Sequence, residues 1–346
     1  MKNRKVFVGL SGGVDSAVSA ALLKHEGYDV TGVFITIALP GYPCPAAEDR
    51  VEAMRVAAHL DIPFLEVNLS KEYEQEVFRP SIEEWQRGRT PNPDTLCNEK
   101  IKFGIFFDWC VEKGADFVAT GHYARFSYHL KTAVDSEKDQ TYFLWAVSEK
   151  KLQKTLFPVG GMQKSEVRAL AKKFGLPVAL RKDSQGLCFL GPISLEDMIE
   201  HEVPQTRGDV LSKSGEVIGT HKGVAHYTLG QRHGFDLQST KAHTSPHFVI
   251  AKDIQANTIT VSTSRVPRGK TNTIVTLKEI NFIGEVSDGL CMARYRYRQT
   301  LIPAMLMNGT KVVLDEPHFV PEGQSLVLYR GDRCLGGGVV ESATLT

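Results

Sequence analysis

Short apolar runs at Lys5–Leu10, Val30–Ile37, Phe64–Leu69 and Phe117–Thr120 alternate with longer amphipathic stretches at Ala17–Glu26, Ala46–Leu60, Lys71–Arg87 and Glu99–Lys113. The short runs read as strands and the long ones as crossover helices, an alternation that builds a parallel sheet. Ala46–Leu60 shows the rule: Val51, Met54 and Ala58 recur at helical spacing, while Glu48, Asp49, Glu52 and Arg55 can face water. A further helix is predicted over Lys164–Phe174, stopped by Gly175-Leu176-Pro177. After about Gly191 the texture changes to short β-rich runs, first Gly208–Leu211, Val217–Thr220, Phe248–Ala251 and Thr258–Thr263. Ile274–Leu277, Met292–Tyr297, Lys311–Leu314, Ser325–Tyr329 and Gly336–Val340 then fit a small antiparallel barrel. The pattern predicts an α/β protein: a doubly wound parallel-sheet domain over 1–193, a small β-rich central domain over 194–265, and a C-terminal antiparallel β-barrel over 266–346.

Between the first strand and the first helix lies Ser11-Gly12-Gly13-Val14-Asp15-Ser16. Two adjacent glycines let the backbone close around an anion, and the N–H groups of the following helix start point at the same place. A phosphate or pyrophosphate is the expected ligand. The spacing fits neither a Walker loop, which needs a Lys before the Ser/Thr, nor a dinucleotide fingerprint, which needs a third glycine. A plain strand-to-helix turn capped by Asp15 or Ser16 is the other reading of the same residues. The hexapeptide resembles the pyrophosphate-binding (PP) loop of enzymes that split ATP to AMP and pyrophosphate. In a doubly wound sheet this loop, Ile35 after the second strand and Gly121 after the fourth would meet beyond the carboxyl ends of the strands.

The chain of 346 residues, 42% hydrophobic and 23% charged, is long enough for two or three domains. Its basic start is followed by too short an apolar run for a signal peptide, and no apolar segment reaches membrane length, so a cytoplasmic location is expected. A net charge of +1 gives no bulk attraction to nucleic acid, so any such surface has to be locally basic. Six cysteines, Cys44, Cys97, Cys110, Cys188, Cys291 and Cys334, show no Cys-x-x-Cys pair, which suggests neither a transition-metal site nor a structural disulfide framework.

Two of these cysteines sit among residues that suit chemistry. In Thr90-Pro91-Asn92-Pro93-Asp94-Thr95-Leu96-Cys97-Asn98 the prolines order a loop that places Asp94 and Cys97 near a helix start, where a thiol's pKa is lowered. Taken alone, Cys97 reads better as a small half-buried side chain. In Lys182-Asp183-Ser184-Gln185-Gly186-Leu187-Cys188-Phe189, Arg181 and Lys182 can favour a thiolate and Gly186 permits a bend that presents Cys188. An ordinary interdomain loop is its other reading. Cys44, Cys110, Cys291 and Cys334 read as structural. Near the C-terminus, Arg294, Arg296 and Arg298 alternate with Tyr295 and Tyr297, so in a strand the arginines would share one face, as a phosphate-binding stripe or as a solvated barrel face.

Taken together, Ser11–Ser16, Asn92-Pro93-Asp94 with Cys97, Gly121-His122-Tyr123-Ala124-Arg125, Lys138-Asp139-Gln140, Asp183–Phe189 and Arg296-Tyr297-Arg298-Gln299 resemble the bacterial-type tRNA-specific 2-thiouridylases in order and spacing over essentially the whole chain. The loop Ala38–Ala47, the linker Leu237–Pro246 and His247-Phe248 depart from the family's usual wording. The resemblance implies that ATP adenylates the 2-carbonyl oxygen of the wobble uridine and that a persulfide sulfur then replaces it, releasing AMP and pyrophosphate. It makes Cys188 the persulfide carrier, Cys97 the partner that forms a transient disulfide with it, and Asp94 the nearby acid/base group. It implies ATP binding by Gly9, Leu10, Ser11, Gly12, Gly13, Val14, Asp15, Ser16, Ile35 and Gly121, with Mg2+ on the phosphates. It also implies contact between Asn92, Pro93 and Asp94 and the extruded base, and between Lys138, Asp139, Gln140, Arg296 and Tyr297 and the tRNA anticodon loop. An external persulfide donor, such as a cysteine desulfurase or a sulfur-relay protein, is expected. The rival readings are an AMP-forming amide ligase with structural cysteines and a non-catalytic tRNA-binding or sulfur-relay protein.

Overall fold

The computed structural model describes residues 4–42, 46–183, 188–191, 195–238, 245–264 and 269–346. Cys44 and the bend at Gly186 lie outside them, as do parts of the loop after Ala38 and of the linker after Leu237. Strands β1 (Lys5–Gly9), β2 (Asp29–Thr36), β3 (Phe64–Asn68) and β4 (Phe117–Ala119), with a short fifth strand Thr155–Leu156, form a sheet in which every pairing is parallel. Their spatial order is β3, β2, β1, β4 and then Thr155–Leu156, so the chain reverses direction of travel between β1 and β4. A ligand crevice opens at such a reversal.

Both faces of this sheet are covered. On one, helix α1 (Val14–His25), helix α2 (Ala46–His59) and the helix Lys164–Lys173 pack Val18, Ala53, Val56 and Val167 against Val6, Val8 and Phe34. On the other, the helical segments Ser70–Gln86 and Pro93–Glu112 pack Tyr73, Val77, Ile101 and Phe106 against Phe7, Val33 and Val118. Ile35 lies inside β2 rather than after it, with its side chain in this second core.

The central region forms a five-stranded sheet with Val210, Tyr227, Val249, Ile259 and Val261 at its core. The C-terminal strands Thr273–Phe282, Gly289–Arg294, Ile302–Met307, Lys311–Leu314, Ser325–Arg330 and Arg333–Leu345 close into an antiparallel barrel, the first strand pairing with the last. Ile302–Met307 is a strand that Pro303 conceals in the sequence, and it alternates buried and exposed residues along its length. A hairpin from the first domain, Ala124–Phe126 with Leu130–Thr132, adds to the barrel's last strand through Lys131 and Arg333. Behind it, Phe103, Tyr142 and Trp145 share a core with Val327, Tyr329 and Cys334. The first domain and the barrel are therefore cemented by apolar burial. No helix among the described residues is long and apolar enough to cross a membrane.

The arginine and tyrosine alternation does not continue as a strand. The strand ends at Arg294, and Gln299 Oε1 accepts the N–H groups of Tyr295 and Arg296 to close a turn in which Arg298 takes a φ of 59°. Arg294 and Tyr295 are both buried, so no phosphate-binding stripe of three arginines forms. Instead Arg294 pairs with Asp139 at 2.5 Å and donates to the Tyr329 hydroxyl. Asp139 also accepts from Ala133 N–H and the Thr141 hydroxyl. Breaking a buried pair of this kind by removing one partner costs about 3–5 kcal/mol. Arg294→Met should lower the denaturation midpoint accordingly; a change below about 1 kcal/mol, the scale of an exposed pair, would show that the pair does not fasten the barrel to the first domain.

Candidate active site

At the end of β1 the chain folds back on itself through the two serines of the glycine loop. Ser11 N–H donates to Ser16 Oγ at 3.1 Å, Ser16 Oγ donates to the Gly13 carbonyl at 3.1 Å, and Gly13 N–H donates to Ser11 Oγ at 3.3 Å. Gly12 has a φ of +73°, and a Cβ there would lie 2.5 Å from the Asp49 carbonyl oxygen, so only glycine fits. Helix α1 starts after Gly13 with no side-chain cap, which leaves its first N–H groups for a ligand and sets aside the capping role expected of Asp15 or Ser16. Leu10 and Val14 are buried, and Leu10 N–H donates to the Val33 carbonyl at 2.8 Å. Asp15 is held by Lys164 at 2.7 Å and by the Tyr123 hydroxyl at 2.9 Å.

Gly121, just past β4, is pressed against this loop: a Cβ on it would sit 2.7 Å from Ser16 N and 2.8 Å from the Asp15 carbonyl carbon. The next residue, His122, stacks on Phe103 with ring centroids 5.6 Å apart. Burial and then the Lys102 ammonium push His122 well below its ordinary pKa, so its ring is neutral. One residue thus touches the glycine loop, and its neighbour faces a second cluster.

That second cluster gathers Asp94, Cys97 and Lys102 from the helical segment after Asn92, Tyr73 from the preceding helices, and Cys188 from the distant loop. Asn92 Oδ1 caps the first turn by accepting Thr95 N–H at 3.2 Å, and its amide donates to Gln324 of the barrel at 3.3 Å. Pro93 is buried at the next position. Cys188 N–H donates to Asp94 Oδ1 at 3.5 Å, the Tyr73 hydroxyl donates to the Cys188 carbonyl at 3.3 Å, and Lys102 Nζ donates to Cys188 Sγ at 3.3 Å. Phe189 adopts a φ of 69°, a conformation a bulky side chain rarely takes, and this turns Cys188 back toward the cluster. Cys97 and Cys188 are both free cysteines and pack into the same cluster.

The cluster divides its protons unequally. The hydrogen bond from Cys97 holds Cys188 well below the ordinary thiol range against the opposing effect of burial, with Lys102 and Asp94 acting the same way. Burial pushes Cys97 well above that range. Burial, followed by the charge on Cys188, raises Asp94 from 3.8 to about 8. At neutral pH the site therefore holds a Cys188 thiolate beside a protonated Cys97 and a protonated Asp94. This corrects two expectations. The helix start does not activate Cys97, because the residue lies beyond the first turn and is wholly buried. The cation beside Cys188 is Lys102, since Arg181 is engaged with the Gly12 carbonyl and Asp49, and Lys182 is exposed.

The residues expected at RNA are scattered around these two centres. Lys138 Nζ pairs with Asp183 at 2.7 Å, Gln140 Oε1 accepts Tyr123 N–H, Arg296 donates to the Leu229 carbonyl, and Tyr297 lies against Phe143. Asp139 is buried with its carboxylate spent on Arg294, Thr141 and Ala133, so its side chain is withdrawn from any RNA. Lys102, Tyr73 and Lys164 belong to the site without having been singled out by the sequence. Among the described residues no group of three His, Cys, Asp or Glu side chains is arranged to hold a metal.

The fold is that of a PP-loop protein. The family described as "tRNA methyl transferase HUP domain" matches residues 4–192, "tRNA methyl transferase PRC-barrel domain" matches 196–263, and "Aminomethyltransferase beta-barrel domain" matches 272–340. The tRNA-specific 2-thiouridylase MnmA of Enterococcus faecalis is 41% identical, covering 98% of this chain and 96% of its own length. Its namesake from Streptococcus mutans is 40% identical, covering 98% and 95%. The chain belongs to the tRNA-specific 2-thiouridylase family. Among solved structures, the U34-tRNA thiolase NcsA from Methanococcus maripaludis aligns with a TM-score of 0.39 at 20% identity, over 58% of this chain and 65% of its own.

The raised pKa of Asp94 has a measurable sign. A carboxyl that binds its proton more tightly when folded contributes stability that is complete below its ordinary 3.8 and is lost as pH rises through about 8. Asp94→Asn should remove that decline. Urea unfolding of wild type and variant across this window should show their stability difference changing with pH; a constant difference would mean that Asp94 is ionised in the folded protein.

Proposed function

We propose that this protein makes 2-thiouridine at the wobble position of tRNA by joining ATP-dependent activation to cysteine-borne sulfur transfer. The observation that carries the reading is the packing of Cys97 and Cys188 into one cluster with Asp94 and Lys102, in which the residue after Gly121, His122, faces Lys102. A lone thiolate would suffice as a nucleophile. A second thiol in contact with it is what releasing a bound sulfur by disulfide formation requires.

In the proposed sequence the uridine 2-oxygen attacks the α-phosphorus of ATP, an O–P bond forms, and pyrophosphate leaves. Gly9–Ser16, Ile35 and Gly121 form the nucleotide cradle, and the uncapped N–H groups at the start of α1 take the pyrophosphate. Mg2+ enters with the triphosphate, as part of the substrate. The terminal sulfur of a Cys188 persulfide then attacks C2, and AMP departs with the former uridine oxygen. Cys97 attacks the Cys188 sulfur, the bond between Cys188 and the transferred sulfur breaks, and that sulfur stays on C2 while a Cys97–Cys188 disulfide forms. Asp94, protonated in the resting site, is the acid/base group beside these sulfurs, and it takes the Cys97 proton only after it has released its own. An external thiol reductant reopens the disulfide, and an external persulfide donor, a cysteine desulfurase or a sulfur-relay protein, recharges Cys188.

The target base has to leave the anticodon stack so that one atom meets phosphate and the next meets sulfur. Asn92, Pro93 and Asp94 line the approach, and Lys138, Gln140, Arg296 and Tyr297, all half-buried, form the proposed RNA-facing set. Asp139 serves that set by anchoring Arg294. The substrate places this chemistry in the cytoplasm. Methyl transfer, the activity in the descriptions of two matched domains, gives the second thiol no task.

Purified protein supplied with tRNA, ATP, a persulfide donor (a cysteine desulfurase with cysteine) and a thiol reductant should yield 2-thiouridine on mass analysis of the digested RNA. Cys188→Ser should abolish the thionucleoside while RNA-dependent pyrophosphate release persists. Unchanged thiolation in that variant would end the assignment of Cys188, and the absence of RNA-dependent pyrophosphate release from the wild type would leave a tRNA-binding or sulfur-relay protein instead.

A further inference from the structure

Lys102 is assigned no part in the sequence of steps above, yet its ammonium is in the centre of the thiol cluster. It stands five residues after Cys97. Five residues are about 1.4 turns of an α-helix, a spacing that would splay the two side chains. The segment Cys97–Ile105 instead runs in π-helical turns interrupted by a kink at Gly104 (φ −94°, ψ −107°), with Phe106 N–H returning to the Ile101 carbonyl, and i→i+5 winding brings residues five apart closer to one face than α-helical winding does. π-helical turns are uncommon and concentrate at functional sites. Here the winding delivers Lys102 Nζ to 3.3 Å from Cys188 Sγ and 5.5 Å from the centre of the Phe189 ring.

The groups that face Cys188 come from every element packed around it. Asp94, Cys97 and Lys102 come from the segment after Asn92 and Tyr73 from the preceding helices, while neutral His122, at the end of β4, lies near Lys102. Among these the one permanent cation is Lys102, set against two thiols and a carboxyl. Burial acts to lower its pKa, but Cys188, Cys97 and Asp94 together hold it above the ordinary lysine range. One ammonium stabilises one anion well.

We infer that Lys102 is a positioning residue of the sulfur-transfer reaction: its ammonium is the counter-ion that keeps the Cys188 sulfur anionic and directed into the cluster. The inference rests on the thiolation reading for its purpose and on the helix winding and the Nζ–Sγ contact for its geometry. It also gives the π-helix a reason, since an α-helical register would withdraw the cation from the sulfur.

The test is the pH dependence of Cys188 alkylation by iodoacetamide, followed by mass quantification of the Cys188 peptide in the full-length protein. Wild type should alkylate with a midpoint well below the roughly 8.5 of a free thiol. Lys102→Met should raise that midpoint by at least about one unit, slowing alkylation near neutral pH about tenfold. At about pH 10, where either protein carries a thiolate, the two rates should agree within about twofold. An unchanged midpoint overturns the proposal, as does a loss of reactivity that high pH does not restore, which is the mark of a merely structural lysine. Should the Met variant fail to fold, Lys102→Gln gives the same comparison. A wild-type midpoint at or above that of a free thiol overturns the proposal without any variant. The measurement uses neither RNA nor nucleotide, so its failure would remove the role of Lys102 and leave the thiolation reading standing.

Discussion

The contact of Gly121 with the backbone of Asp15 and Ser16 is the constraint on which the rest of the molecule depends. It fixes the end of β4 against the start of α1 at a distance no side chain could share. Because β1 and β4 are neighbours on opposite sides of the point where strand order reverses, the glycine loop and the residues after β4 open into one crevice. His122 then carries the same edge to Phe103 and Lys102, and so to the thiols. A nucleotide centre and a sulfur centre are joined by two consecutive residues.

Within the sulfur centre the governing quantity is charge. Three acids compete for the neighbourhood of one ammonium, and the geometry awards the negative charge to Cys188, which receives hydrogen bonds from both Cys97 and Lys102. Cys97 and Asp94 consequently keep their protons at neutral pH. An arrangement with one nucleophile charged and its partner held in reserve suits a reaction in which the two sulfurs act in turn. An ion-pair chain runs outward from the glycine loop: Asp15 to Lys164, Lys164 to Asp183 at 2.9 Å, and Asp183 to Lys138. Burial acts to raise the Asp183 pKa, and the hydrogen bonds from Lys138 and Lys164 overcome it, so the carboxylate remains ionised between its cations.

The parallel sheet was legible because strands buried on both faces are continuous apolar runs, and Val6-Phe7-Val8 or Val33-Phe34-Ile35 leave little other reading. The glycine loop was legible because few structures need two glycines between a strand and a helix. Ile302–Met307 was hidden by Pro303, and the hairpin Ala124–Thr132 by the fact that its partner strand lies far away in sequence. Arg294–Tyr297 imitated a strand by alternation, but the Gln299 side chain and the left-handed Arg298 close it as a turn. Cys97 and Cys188 were found as candidates; the thiolate expected at Cys188 stands, with Lys102 as its cation, whereas the ionisation of Cys97 was misjudged, since distance from a helix start can be counted in sequence and burial cannot. Lys102 was invisible for a related reason: α-helical periodicity puts it on another face, and only the π-helical winding returns it.

The central claim is that activation and sulfur transfer act on one carbonyl, its oxygen leaving with AMP and its carbon receiving sulfur. The most direct measurement follows that oxygen. tRNA carrying heavy oxygen at C2 of the wobble uridine, incubated with the protein, ATP, a persulfide donor and a thiol reductant, should give AMP that carries the label, one labelled AMP for each 2-thiouridine formed. Unlabelled AMP accompanying 2-thiouridine would contradict the account, because the sulfur would then have replaced an oxygen that never became part of a nucleotide ester.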